Sequence, residues 1–195
     1  MGDAHRRKKQ PELTRQQLLD VAAGLALGSG VGALTLDAVA KAAGVSKGGL
    51  LHHFPSKRAL LEGLCDDLVA RFGRDVARRA ARDADEHGRG ARAYLRATAV
   101  RRGDGVAKLW GLVAVAAMFE PGLRERWRDW MADHTRPDAD GGADPAALAV
   151  VRLAADGLWM ADLFGVFDKA PKRRAEVVRR LEAMTKRGSD PGGEE

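Results

Sequence analysis

The chain has 195 residues, 45% of them hydrophobic, with a formal net charge of +6 and a pI near 9.8. That composition excludes bulk disorder, and the length suits one sizeable core or two small ones. No stretch approaches the ~20 apolar residues of a membrane span, no apolar signal segment follows the basic N-terminus, and the lone Cys65 excludes an intramolecular disulfide.

These features point to a soluble, cytoplasmic protein with no membrane partner. The charge is uneven. Met1–Arg58 holds nine basic and four acidic residues, or +5, which leaves about +1 for everything after it. A basic N-terminal third calls for an anionic partner there.

Residues 1–12, with Arg6-Arg7-Lys8-Lys9 and Pro11, are predicted to form a flexible basic arm. Thr14-Arg15-Gln16-Gln17 has the form of a capping box and predicts a helix start. Leu18, Ala22, Leu25 and Ala26 give that helix an apolar face, and Gly28-Ser29-Gly30 stops it. The same glycines, with Gly32, look like a fragment of a dinucleotide fingerprint, but they follow a helix rather than a strand and so predict a loop.

Thr35 can cap a second helix, with Asp37 well placed in its first turn and Leu36, Val39, Ala40 and Ala43 on one face. Gly44 ends it. Ser46 can cap a short third helix whose Leu50 and Phe54 face inward. Pro55-Ser56-Lys57 opens a long helix, to about Arg82, with Leu61, Leu64, Leu68 and Phe72 along one side.

Helical spacing continues over Ala91–Val100 and over Val106, Leu109, Trp110, Val113 and Ala117. Glu120-Pro121-Gly122 is a break, after which Leu123, Trp127 and Trp130 begin a further helix. A loop covers 136–142. Asp144-Pro145 has cap-then-proline form and starts a helix to about Phe164, and Pro171 starts a last one to about Lys186. From Gly188 the tail is expected to be disordered. The fold class is therefore all-α: an N-terminal three-helix helix-turn-helix domain (13–58), a C-terminal helical bundle (59–187) and a tail (188–195).

The informative stretch is Thr35–Lys57. Two short amphipathic helices joined at Gly44-Val45 have helix-turn-helix form, and the second exposes small and polar residues first: Ser46, Lys47, Gly48, Gly49. A helix end built this way lets its backbone approach DNA and offers N–H groups to phosphate.

Gly30 and Thr35, then Ala42-Ala43-Gly44-Val45-Ser46-Lys47-Gly48, Leu50 and His53-Phe54-Pro55-Ser56-Lys57, resemble the tetracycline-repressor (TetR) family over roughly residues 14–64. The resemblance implies a transcriptional regulator. Such a protein binds a palindromic double-stranded DNA operator as a homodimer, usually as a repressor, and a small-molecule effector releases it. It also implies roles for matching residues. Thr35 and Ser46 cap helices and touch phosphate. Lys47, Gly48 and Gly49 lie on or near base edges. Leu51, His52 and His53 occupy the rest of the recognition helix, and Lys57 contacts phosphate. Leu51 and His52 replace residues that are often aromatic in the family, and Leu51 can touch only a thymine methyl.

His53 is equally suited to a structural role. A metal site at His52-His53 is not expected, because adjacent helical residues point apart. No nucleophile elbow, zincin or phosphate-loop motif occurs, so neither an enzyme nor a cofactor is expected. The rival reading is a helical adaptor with a basic arm.

In the C-terminal region Trp110, Met118, Phe119, Trp127, Trp130, Met131 and Trp159, with Met160 and Phe164, can line an apolar, adaptable effector pocket, with Asp156 favouring a cationic or hydrogen-bond-donating ligand. Plain helical core is the alternative for each. Asp162 fits either the pocket or a dimer interface. Leu148, Val151, Ala155 and Leu158, with Val177, Leu181 and Met184, form stripes expected to meet a second copy.

Overall fold

The computed structural model describes residues 10–100, 106–134 and 141–187, and the regular elements among them are all helical. In chain order they are α1 (Gln10–Ser29), a 3-10 turn (Val31–Ala33), α2 (Leu36–Ala43), α3 (Lys47–His53), α4 (Lys57–Ala80), α5 (Arg89–Ala99), α6 (Val106–Phe119), α7 (Pro121–His134), α8 (Pro145–Leu163) and α9 (Pro171–Ala183). None is long and apolar enough to cross a membrane among the described residues. The charged run Arg6–Lys9 and the tail from Gly188 lie outside those residues. Gln10–Glu12, expected in the arm, is helical instead, so α1 begins before Thr14. Pro11 is compatible with a first turn, where its missing N–H has no helical partner to lose.

The chain forms two compact units. One comprises the described residues through Val69 together with Lys108–Trp127. The other comprises the described residues of Ala70–Ala107 together with those from Arg128 onward.

In the first unit the buried core is Leu18, Leu19, Ala22 and Ala26 of α1, Leu34, Val39 of α2, Leu50 of α3, Phe54, and Leu60, Leu61, Leu64 and Cys65 of α4. Burial pushes the Cys65 thiol up to about 11, so it behaves as a small apolar residue. The packing is tight at Gly63, where a methyl group would lie 2.8 Å from Phe54 Cε1. The Arg15 guanidinium sits 5.1 Å from the Phe54 ring centroid. Lys108 Nζ at the start of α6 donates to Leu27 O at 3.0 Å, and Arg126 Nη1 of α7 grips both oxygens of Asp66 on α4 at 2.8 and 2.9 Å.

In the second unit α5, α8 and α9 share a core of Ala91, Tyr94, Leu95, Leu148, Val151, Ala155 and Leu181. Six of the seven residues expected to face a second copy are therefore packed within the chain itself, with Leu158 also buried and Val177 packed against the core, while Met184 is exposed. The physical reason is that α8 is apolar on two faces. Periodicity marks a face that must be buried without saying what buries it.

Arg92, 1% exposed, locks this unit. Its Nε donates to Asp83 Oδ2 at 2.6 Å, Nη1 to His87 O and to Thr185 O and Oγ1 at 3.0–3.2 Å, and Nη2 to Asp85 O at 2.7 Å. The hydrogen bond from Arg92 holds the Asp83 carboxyl below the usual carboxylate range. Gly88 lets the chain reach α5 at φ 66°, where a Cβ would collide with Thr185 O at 2.2 Å.

Candidate nucleic-acid interface

Local chemistry places the helix-turn-helix residues. Thr35 Oγ1 accepts from the Ala38 N–H at 3.1 Å and so starts α2. At its other end Gly44 turns left-handed, φ 69°, and donates to Lys41 O at 3.3 Å while Val45 N–H reaches Ala40 O at 3.0 Å. That pair of bonds is a Schellman cap, and it turns the chain within two residues into the next cap. Ser46 Oγ accepts from the Gly49 N–H at 3.1 Å and starts α3. Ser56 Oγ accepts from Ala59 N–H at 3.0 Å and starts α4.

One face of α3 is anchored by buried Leu50, with Phe54 buried just beyond, and Lys47, Gly48, Gly49, Leu51 and His52 are exposed. His53 is half-buried, its ring edge-to-face with His52 at 5.3 Å. Lys47 Nζ pairs with Asp37 Oδ1 on α2 at 3.0 Å, a partner the sequence did not announce because it comes from the neighbouring helix. Lys57 Nζ donates to Gly32 O at 3.3 Å and fastens α4 to the 3-10 turn.

The glycines are telling. A Cβ at Gly48 would meet nothing within 4 Å, and one at Gly49 would meet only Ser46 Oγ at 3.3 Å. Neither has a positive φ. Each costs a helix about 0.8–1 kcal/mol relative to alanine. Packing within the chain has no use for either, whereas a surface brought against a nucleic-acid backbone does.

A profile for bacterial regulatory proteins of the tetR family matches residues 18–64, and one for the tetracyclin repressor-like C-terminal domain matches residues 88–186, just over half of the chain. The chain belongs to the TetR family. Its helix-turn-helix is thus the DNA-binding element of a transcriptional regulator.

Among curated relatives, the HTH-type transcriptional repressor KstR2 of Rhodococcus jostii (strain RHA1) is 42% identical in an alignment of 67 positions that covers 32% of this chain and 33% of that protein. The aligned stretch thus spans about a third of that relative's length. Among solved structures, a putative TetR-family regulator from Rhodococcus sp. superposes with a TM-score of 0.71 at 20% identity, covering 89% of this chain and 99% of that one. The multidrug binding protein EbrR complexed with imidazole gives a TM-score of 0.65 at 24% identity, covering 94% and 92%. Likeness at these identities shows the shared all-helical fold.

The expected effector residues are shared between the two compact units. Trp110, buried, and Trp127, half-buried, meet edge-to-face at 5.4 Å in the first unit. Met118 and Phe119 stand on the surface, 61% and 78% exposed. Trp130, Met131, Asp156 and Trp159 belong to the second unit and are half-buried. There Trp130 packs edge-to-face on Phe72 at 5.9 Å, and Asp156 Oδ1 accepts from Tyr94 OH at 2.6 Å. Asp162 is held by Arg174 at 2.6–3.0 Å.

Sequence reasoning missed Thr98, whose hydroxyl is buried without a partner, because a lone helical threonine gives no signal. It also missed Val150 and Leu153, which with Met160 and Phe164 make an outer face of α8 that is 49–76% exposed.

Proposed function

We propose that this TetR-family regulator represses transcription by binding a palindromic operator as a homodimer, and that a small-molecule effector releases it. In this reading residues 13–58 bind DNA and 59–187 dimerise and take the effector. The carrying observation is the exposed, Ser46-capped start of α3, with Gly48 and Gly49 on an open surface beside Lys47. Thr35, Ser46 and Lys57 touch phosphate. Lys47, Gly48, Gly49, Leu51, His52 and His53 face the major groove and its edges.

The exposed α8 face supports the homodimer. Val150, Leu153, Gly157, Met160 and Phe164 recur every three or four residues, and Gly157 leaves open space at its centre. A second copy crossing there buries the stripe and sets two recognition helices about 34–36 Å apart, one turn of DNA.

Release is proposed to act through the first unit. Its Trp110–Trp127 pair lies in the same compact body as α3, and the Arg126–Asp66 bond links α7 to α4. EbrR has been crystallised with ethidium and malachite green. Aromatic effectors of that kind are a first screen here.

The test is DNA anisotropy with the upstream region of the chain's own gene, against random-sequence competitor. Lys47→Ala is expected to weaken operator binding, and deleting Arg6–Lys9 to weaken all DNA binding. Each lost phosphate contact flattens the slope of log K against log salt by about 0.9. Binding no stronger to the upstream region than to competitor overturns the proposal.

A further inference from the structure

We infer that Asp37 on α2 is a specificity-determining residue of the DNA-binding surface: it withholds the Lys47 ammonium from phosphate and yields it to a base edge. The inference deepens the proposal that α3 reads an operator, and rests on it.

Local caps build the pair. Thr35 starts α2 and puts Asp37 in its first turn, and the Gly44 turn with the Ser46 cap puts Lys47 first in α3. Across that turn Lys47 Nζ lies 3.0 Å from Asp37 Oδ1 and 3.2 Å from Oδ2. Holding the two helices together is not the task of this pair. Val39, Ala40 and Leu50 are buried and do that. The Lys47 and Asp37 side chains are 61% and 71% exposed, and so open a pair adds little to stability.

Its consequence is electrostatic. Asp37 is the one acidic residue in 35–58, against Lys41, Lys47, Lys57 and Arg58. Lys57 gives the contrast. Its ammonium rests on a neutral carbonyl, Gly32 O at 3.3 Å, and keeps its full charge for phosphate. Lys47 rests on a carboxylate, so the pair offers no net charge, and a phosphate drawn to Lys47 meets the repulsion of Asp37 as well.

Non-specific binding consists almost wholly of phosphate contacts, so the carboxylate weakens it directly. A base edge is different. Guanine O6 and N7 are neutral acceptors of fixed position, and they accept from Lys47 while Asp37 stays nearby. The penalty therefore falls on wrong sequences more than on the right one, which is how a repulsive group raises specificity.

The test is DNA anisotropy of the full chain on two probes: an unselected random-sequence duplex pool, and the duplex that the wild-type chain enriches from that pool. Asp37→Asn is expected to bind the random pool about fivefold more tightly, the size of one contact between unit charges in water. Its salt slope on that pool should steepen by about 0.9, one further phosphate. Affinity for the enriched duplex is expected to hold, so the preference falls about fivefold. Asp37→Glu keeps the charge and should keep the preference. In a Lys47→Ala background, Asp37→Asn should leave the preference unmoved, because the effect runs through Lys47. The preference is a ratio on one sample, so a change in the folded fraction cancels. An unchanged preference in Asp37→Asn, or the same fall without Lys47, overturns the inference. A wild-type chain that enriches no duplex overturns the regulator reading and this one with it, whereas enrichment with an unmoved preference overturns this one alone.

Discussion

The helix-turn-helix segment and the α5–α8–α9 bundle are built by opposite means. In the first, the bonds that place α2, α3 and α4 come from Thr35, Ser46 and Ser56, each to a backbone N–H three residues on. In the second, the defining bonds join residues far apart in the chain: Arg92 to Thr185, Arg96 to Glu182 and Tyr94 to Asp156. Loss of one local cap therefore frays one helix end. Loss of the partner of Arg92 or of Tyr94 strands a buried charge or hydroxyl. The DNA-reading part is thus tolerant of single changes in its polar framework, and the bundle is not.

The largest expected effect is at Arg92. Arg92→Ala takes from Asp83 its shortest hydrogen bond and leaves three backbone carbonyls, of Asp85, His87 and Thr185, without this donor, and removal of one partner of a buried pair costs about 3–5 kcal/mol. Urea unfolding monitored by circular dichroism should show that loss, and a change under about 1 kcal/mol would place the ion pair among ordinary surface bridges.

The same pair sets a pH dependence. Asp83 titrates lower in the folded chain than its unfolded value near 3.9, so its contribution is present above about pH 4 and fades as pH falls through the folded value. Asp83→Asn should make the acid limb of the stability curve shallower. An unchanged limb would mean that other carboxylates carry it.

Next comes Gly63→Ala, which drives a methyl group to 2.8 Å from Phe54 Cε1. Overpacking of this kind costs about 1–3 kcal/mol, visible as a lowered Tm. Unchanged Tm would show that the α1–α4 contact yields freely. Gly44→Ala follows, at about 1–2 kcal/mol for a left-handed residue with a side chain. It should act through the α2–α3 angle and so weaken DNA binding along with stability.

The smallest effect sharpens the comparison most. Gly48→Ala is expected to stabilise the fold by up to about 1 kcal/mol while weakening binding to upstream DNA in the anisotropy assay. Unchanged or tighter binding would show that the α3 backbone does not need the close approach.

Legibility followed the same division. Caps and the Gly44 turn are written in adjacent residues, so α2, α3 and the start of α4 could be read within one or two residues of their observed ends. The start of α1 could not, because Thr14-Arg15-Gln16-Gln17 satisfies a capping pattern that the helix, running on from Gln10, does not use. The tryptophans were readable as large apolar groups needing burial, but nothing in their spacing named their ring partners, Trp127 for Trp110 and Phe72 for Trp130. Asp37 was readable as a first-turn acid and not as the partner of Lys47.

The sequence by itself determined the all-helical class, the helix-turn-helix and its family, because those depend on hydrogen bonds and periodicities spanning a few residues. Only the tertiary structure decided which face of α8 is core, with Leu148 and Val151 inside and Leu153 and Met160 outside. It alone also decided where Arg92 finds its partners and where Thr98 and Trp159 are left without any. The reason is that burial and pairing across tens of residues follow from which helices meet, and an apolar or charged side chain carries no record of its partner's position in the chain.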